Sequence, residues 1–168
     1  MNLNIPYMET DNKLLNDAYR IAAGDIVGNI VYYQNGLLTE EKPCMIAGLD
    51  YNTPWTRDTA INIWNALSIL SPEVSKNTLL AVLEEEEGNI YIGGQYWDSI
   101  IWMIGAREYC RFHKDDNFYR LAFEAGRNSV HRLEEDEFDE EDGLFRGPAV
   151  YGDGIAAYPV SYTHLRAH

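Results

Sequence analysis

Basic residues and cysteine are scarce in this 168-residue chain, and each scarcity removes a class of function. Thirteen Lys and Arg stand against 27 Asp and Glu, a formal net charge of −14. Such a surface repels phosphate backbones and anionic lipid, so neither nucleic acid nor membrane is an expected partner and a neutral or cationic one is favoured. Cys44 and Cys110 are the only cysteines, with no CxxC spacing and no His-Cys cluster beside them. Neither a disulfide framework nor a structural zinc site is expected, and both are read as small buried hydrophobes; no metal and no cofactor is assigned. Long apolar runs are missing too. No stretch reaches the roughly 18 residues of a membrane span, and "MNLNIPYMETDNK" lacks the basic-then-apolar order of a signal peptide, which points to the cytoplasm.

What is present, 46% hydrophobic and 24% charged residues, is the composition of one globular domain with its own core. The last nine residues, "VSYTHLRAH", break the preceding pattern and resemble the translation of a transposase-type sequencing adaptor. Residues 160–168 are therefore set aside as a non-native tail, and 1–159 are read as the N-terminal part of a longer domain. Setting the tail aside also removes two of the four histidines, leaving His113 and His131, both read as surface residues.

Five helices are expected. The first begins at an N-cap Thr10 or Asp11 and carries Leu14, Leu15, Ala18, Ile21 and Ala22 on one face. From Thr56 to Leu70, Ile61, Ile63, Trp64, Leu67 and Ile69 surround the axis, the mark of a helix buried on more than one side. Ser71-Pro72-Glu73 restarts the chain as cap, first helical residue and first-turn acid. The third helix is expected to run on into "EEEEGN", with its glutamates at a solvated end and Gly88 as the stop. The fourth, about 95–112, is again apolar all round, and the fifth, about 116–134, one-sided. Strand signals are weak beyond a short extended pair at "NIYIGG". This alternation suits an all-α double ring in which every second helix is inner, rather than a four-helix bundle with one stripe per helix.

Three polar clusters fall where inner helices begin: Trp55-Thr56-Arg57-Asp58, then Gln95-Tyr96-Trp97-Asp98, then "DGLFRGPAVYGDGIAAYP" with Arg146, Tyr151 and Asp153. If the inner helices run parallel, all three gather at one mouth. Aromatic faces beside carboxylates and amides suit an uncharged sugar, covering its C–H surface while gripping its hydroxyls. Other readings fail on spacing. In "FDEEDGLF", placing Gly143 at position six of a calcium loop puts Phe138 at one and Ala149 at twelve, and the Gly pairs are too sparse to cradle phosphate.

"NTPWTRDTAINIW" resembles the "TWTRDS" type of segment in glucoamylases and the "W-x-R-D" of glycogen debranching enzymes. "YWDSIIWMIGAREYCRF" and "FDEEDGLFRGPAVYGDGIAAYP" are similar to debranching-type segments, so that the likeness runs from about Thr10 to Pro159. It is to the six-hairpin (α/α)6-barrel glycosidase superfamily, and it implies about half of such a barrel. By that resemblance the chain is part of a glycoside hydrolase acting on an oligosaccharide or polysaccharide, with acid-assisted inversion. Arg57 and Asp58 contact sugar, together with Trp55, Gln95, Tyr96, Trp97, Arg146 and Tyr151. Asp153 is the general acid and Asp98 the runner-up. The catalytic base belongs to later hairpins of the family, so the piece alone is expected not to turn over substrate. A non-catalytic sugar binder on the same fold and a sugar epimerase, which would rely on histidines at the cavity, are the rival readings.

Overall fold

The computed structural model describes residues 5–94, 96–147 and 160–162. The chain is mostly helical, with three small antiparallel sheets beside the helices. Helix α1 (Lys13–Gly28) starts not at Thr10 or Asp11 but at Asn12, whose side chain accepts from the Leu14 and Leu15 amides. Thr10 supports that cap instead, its Oγ1 accepting from the Asn12 N–H. Strands β1 (Ile30–Tyr33) and β2 (Lys42–Met45) form the first hairpin.

The predicted helix from Thr56 to Leu70 forms as three consecutive pieces: α2 (Thr56–Asn62), a π turn (Ile63–Leu67) and α3 (Ser68–Leu70). Ser71 ends it and caps α4 (Pro72–Ala81), accepting from the Val74 amide at 3.4 Å, with Pro72 in the first turn as the sequence predicts. The predicted continuation into the glutamates does not occur. Residues Leu83–Glu86 are strand β3, paired with β4 (Asn89–Ile92) through a turn in which Glu87 and Gly88 both have positive φ, 51° and 81°. Two consecutive left-handed residues match the right-handed twist of a two-residue hairpin, and that geometry prevails over the helix preference of a glutamate run. Leu83 and Ile92 point into the core, and Glu84 pairs across from Tyr91.

Helices α5 (Tyr96–Phe112) and α6 (Asp116–Glu137) complete the helical part. Asp115 caps α6 through the Phe118 amide at 3.0 Å. Beyond it β5 (Phe138–Asp139), β6 (Leu144–Gly147) and β7 (Val160–Tyr162) form the third sheet. β7 belongs to the segment expected to be a tail; a strand added through main-chain bonds at a sheet edge requires little of its side chains.

Two helical hairpins, α2–α4 and α5–α6, pack with their first helices side by side. Thr56 meets Gly93, Arg57 meets Asp98, and Ser68 meets His113, so α2–α3 and α5 run parallel. They approach so closely that a Cβ on Gly105 would lie 2.8 Å from the Ala60 Cα. Beneath them the core holds Ile63, Leu67, Leu79, Trp102, Tyr109 and Phe118, with the Trp102 indole N–H donating to the Leu79 carbonyl at 3.3 Å. α5 is covered by α2, α4 and α6, as its all-round apolar character predicts. The Thr56–Leu70 segment is not: Ile61, Trp64 and Ile69 remain 38%, 55% and 57% exposed, because no second layer lies over that face among the described residues. α1 likewise buries no residue, and its Leu14, Leu15 and Ile21 face outward. Among the described residues no helix is long and apolar enough to cross a membrane.

At the far end of the parallel pair, Asp115 receives the Lys76 ammonium at 2.6 Å and the Tyr109 hydroxyl at 3.3 Å. His113, partly buried rather than on the surface, contacts the Ser68 carbonyl through Nε2 at 2.6 Å. Lys76 above all, then the Phe118 amide, holds the Asp115 carboxyl below its ordinary 3.8, while burial pushes the Tyr109 hydroxyl up to about 12.

Two outcomes follow from this packing. Gly105→Ala lowers the urea unfolding free energy by about 1–3 kcal/mol, since the added methyl meets the main chain of α2. Gly24→Ala, with open space around it on α1, does not lower it. For Asp115 the folded pKa lies below the unfolded one, so its contribution is present above about pH 4 and lost as the pH falls through the folded value. Asp115→Asn therefore flattens the acid limb of the stability profile relative to wild type; an unchanged limb assigns acid sensitivity to other carboxylates.

Candidate functional site

Trp55, Thr56, Arg57 and Asp58 occupy the start of α2 in an unusual way. Trp55 stands at the N-cap position with extended backbone and offers no capping hydrogen bond. Thr56 does not cap its own helix either: its Oγ1 donates to the Gly93 carbonyl at 2.8 Å, tying α2 to the segment that leads into α5. Arg57 Nη1 lies 2.7 Å from Asp98 Oδ1, in a pair whose side chains are 11% and 3% exposed. Asp58 and Asp98 both fall in first turns, where a helix N-terminus favours negative charge. The cluster thus joins two helix beginnings 41 residues apart, which a Ser, Thr or Asp cap alone would not do.

Over this pair opens a cleft of about 190 Å³, lined by Tyr33, Asn35, Thr53, Trp55, Glu84 and Asp98 together with residues 81–83 and 93–94. Trp55 is 38% exposed; the Tyr51 ring meets it edge-on at 6.0 Å, and the Arg57 guanidinium lies 5.9 Å from its centroid. Tyr33 and Thr53 share a hydroxyl hydrogen bond of 2.9 Å across the wall. Asp98 faces the cleft, whereas Arg57 and Asp58 are not part of its lining. Arg57 holds Asp98 in place more than it meets a ligand.

Gly93 and Gly94 form the floor for a steric reason. A Cβ on Gly93 would come 2.5 Å from Glu84 Oε1, and one on Gly94, whose φ is +112°, 2.2 Å from Asp98 Oδ2. Two carboxylates can lie against adjacent residues only because neither carries a side chain. Glu84 is a lining residue of the cleft that the sequence pattern does not mark. The glutamate run hid it, and the available signal was the alternation begun by Leu83 opposite Ile92.

Of the other sequence-predicted residues, Gln95, Tyr151 and Asp153 lie outside the described residues. Tyr96 and Trp97 open α5 and Arg146 lies in β6, with side chains outside the described part. The structure therefore brings the first two predicted clusters together, through Trp55, Arg57 and Asp98. Neither His113 nor His131 lines the cleft; His131 is exposed and pairs with Glu134 at 3.4 Å. Among the described residues no group of three or more His, Cys, Asp and Glu is arranged to hold a metal. Cys44 is fully buried with its thiol pushed up to about 12 by burial, and Cys110 is partly buried. A cavity of about 360 Å³ on α5 and α6 is mostly apolar, walled by Trp102, Met103, Ala106, Tyr119 and Phe123, and Arg107 and Arg111 also line it.

Breaking the Arg57–Asp98 pair from one side leaves a buried charge without its partner. Asp98→Ala is expected to cost about 3–5 kcal/mol of stability. Arg57→Met combined with Asp98→Leu costs less than the sum of the two single changes, and additive costs in the cycle refute the coupling. Compared with family models, curated proteins and solved structures, the chain matches none of them.

Proposed function

We propose that this chain is part of a glycoside hydrolase whose sugar sits in the Trp55–Asp98 cleft. The observation that carries the reading is the buried Arg57–Asp98 pair at the beginnings of two parallel helices, beneath an exposed tryptophan. An aromatic face with a fixed carboxylate, an amide at Asn35 and the hydroxyls of Tyr33 and Thr53 is the chemistry that grips a neutral polyol. The acidic surface argues against anionic ligands.

Two helical hairpins with adjacent, parallel first helices are also what a partial (α/α)6 toroid requires, and the resemblance noted in the sequence supports that finer architecture. In the proposed reaction a carboxylic acid protonates the leaving oxygen while a second carboxylate activates water, inverting the sugar. Asp153 is assigned the acid by resemblance. Asp98, engaged by Arg57 through Oδ1, suits the grip on sugar hydroxyls better than proton delivery. The sugar-isomerase alternative gains nothing from the cleft, which neither His113 nor His131 lines.

The test is calorimetric titration of the chain with neutral oligosaccharides, followed by assay of reducing-sugar release. Asp98→Asn is expected to weaken binding at least about tenfold, equivalent to about 1.4 kcal/mol. Asp153→Asn is expected to abolish release in the hydrolase that carries this sequence while leaving binding intact. Binding without release in the unaltered hydrolase makes the protein a sugar binder; no binding at all removes the carbohydrate reading.

A further inference from the structure

Asn35 and Gly36 form the only Asn-Gly pair in the chain, and both are exposed at the turn that follows β1. An asparagine before glycine is open to attack on its own side-chain amide by the next main-chain nitrogen, because no Cβ shields that nitrogen. The fold fixes the glycine. Its φ is +60°, and a Cβ there would lie 2.6 Å from the Leu80 and Leu83 carbonyl oxygens, so a side chain is excluded at 36.

The hydrogen bonds of the turn leave that nitrogen uncommitted. Leu37 N–H donates to the Leu80 carbonyl and Leu38 N–H to the Asn35 carbonyl, both at 3.1 Å. Among the described residues no acceptor receives the Gly36 N–H. The Asn35 side chain donates to the Ala81 carbonyl at 3.4 Å, longer than an ordinary N–H···O bond, so the amide is lightly held. Asp142-Gly143 is the contrast within the same chain, because there the Gly143 N–H is tied to the Asp139 carbonyl at 2.8 Å. Asn35 also lines the Asp98 cleft, as the one side-chain amide among the described residues that does so.

We propose that Asn35-Gly36 is a self-modification site at which the amide of the cleft becomes a carboxylate. Solvent base removes the Gly36 N–H proton, and the nitrogen attacks Asn35 Cγ. The Cγ–Nδ2 bond breaks, and Nδ2 takes up a proton and leaves as ammonia. Water then opens the five-membered succinimide at one of its two carbonyls and returns the N–H to Gly36. One water is consumed and one ammonia released, with nothing oxidised or reduced. Opening at Cγ leaves aspartate at 35; opening at the main-chain carbonyl leaves isoaspartate, whose main chain runs through Cγ and is one methylene longer. Either product replaces a group that donates and accepts by a carboxylate that only accepts. It faces the Ala81 carbonyl with no hydrogen to offer, in the same lining as Glu84 and Asp98. Isoaspartate also displaces the carbonyl that receives the Leu38 N–H. This chemistry holds whatever the cleft binds.

The experiment is incubation of the folded 168-residue chain in mildly alkaline buffer, followed by proteolysis, mass spectrometry and labelling with an isoaspartyl methyltransferase. The mass gain of an amide-to-acid exchange is expected at Asn35 ahead of every other asparagine. Its rate is expected to rise about tenfold per pH unit, because proton removal from Gly36 precedes attack. Asp142 is expected to stay unlabelled over the same period. Asn35→Gln, whose longer side chain would have to close a six-membered ring, is expected to lose both the gain and the label at 35. The modified species, separated by anion exchange, is expected to unfold at a lower urea concentration than the starting chain. An Asn35 that stays intact in the folded chain and reacts only in urea overturns the proposal, since the turn then protects the pair; a gain no faster than at other asparagines does the same. Equal urea midpoints overturn the consequence for the cleft wall.

Discussion

The contact between Ala60 and Gly105 is the constraint on which the rest of the architecture depends. A helix pair can approach this closely only where one partner has no side chain, and here the Ala60 main chain occupies the place a Cβ would take. Once α2 and α5 are in register at that point, their first turns come level, and Arg57 reaches Asp98 without stretching. The same register sets Ser68 opposite His113 at the other end, where the Asp115 cap, Lys76 and Tyr109 close the bundle. A shift of one residue along either helix would separate the ion pair and lose both ends at once.

A buried ion pair is expensive, because removing two charges from water costs several kcal/mol per ion before their attraction is counted. The fold reduces this cost at the start of α5. Asp98 lies in a first turn, where the helix N-terminus favours its charge, and Arg57 covers one of its oxygens. What such a pair contributes is less net stability than position: a carboxylate fixed at the bottom of a cleft whose rim is Trp55 and whose floor is two glycines. In a chain of net charge −14, one paired acid at a defined place is chemically different from the many solvated ones around it.

Much of this was legible in the residues, and the failures have physical causes. Ser71-Pro72 and the apolar character of α5 translated directly into a capped start and a helix covered by three neighbours, because both are local or one-dimensional signals. The glutamate run reads as helix on propensity alone, and the turn at Glu87 and Gly88, with its paired positive φ values, commits the segment to a hairpin instead. Thr10, Asp11 and Asn12 can all cap, and local bonds choose Asn12 among these equivalents. The convergence of the first two polar clusters was foreseen as a consequence of parallel helices. Their joining by a specific Arg57–Asp98 bond, and the arrival of Glu84 beside them, depend on distances that no periodicity encodes.

The two halves of the site differ in how firmly they are held. α5 is packed by α2, α4 and α6, with Trp102 fully buried and its indole tied to α4, so Asp98 stands on a rigid support. The Thr56–Leu70 segment contains a π turn and leaves Ile61, Trp64 and Ile69 on an uncovered face. π turns interrupt the regular ladder and recur at functional sites, where they set side chains out of ordinary helical phase. Ile63 and Leu67, four residues apart, both reach the core while Trp64 stays outside. Asp98 is accordingly the fixed reference of the cleft, and Trp55 and Arg57 are placed relative to it through the Thr56–Gly93 bond and the Ala60–Gly105 contact.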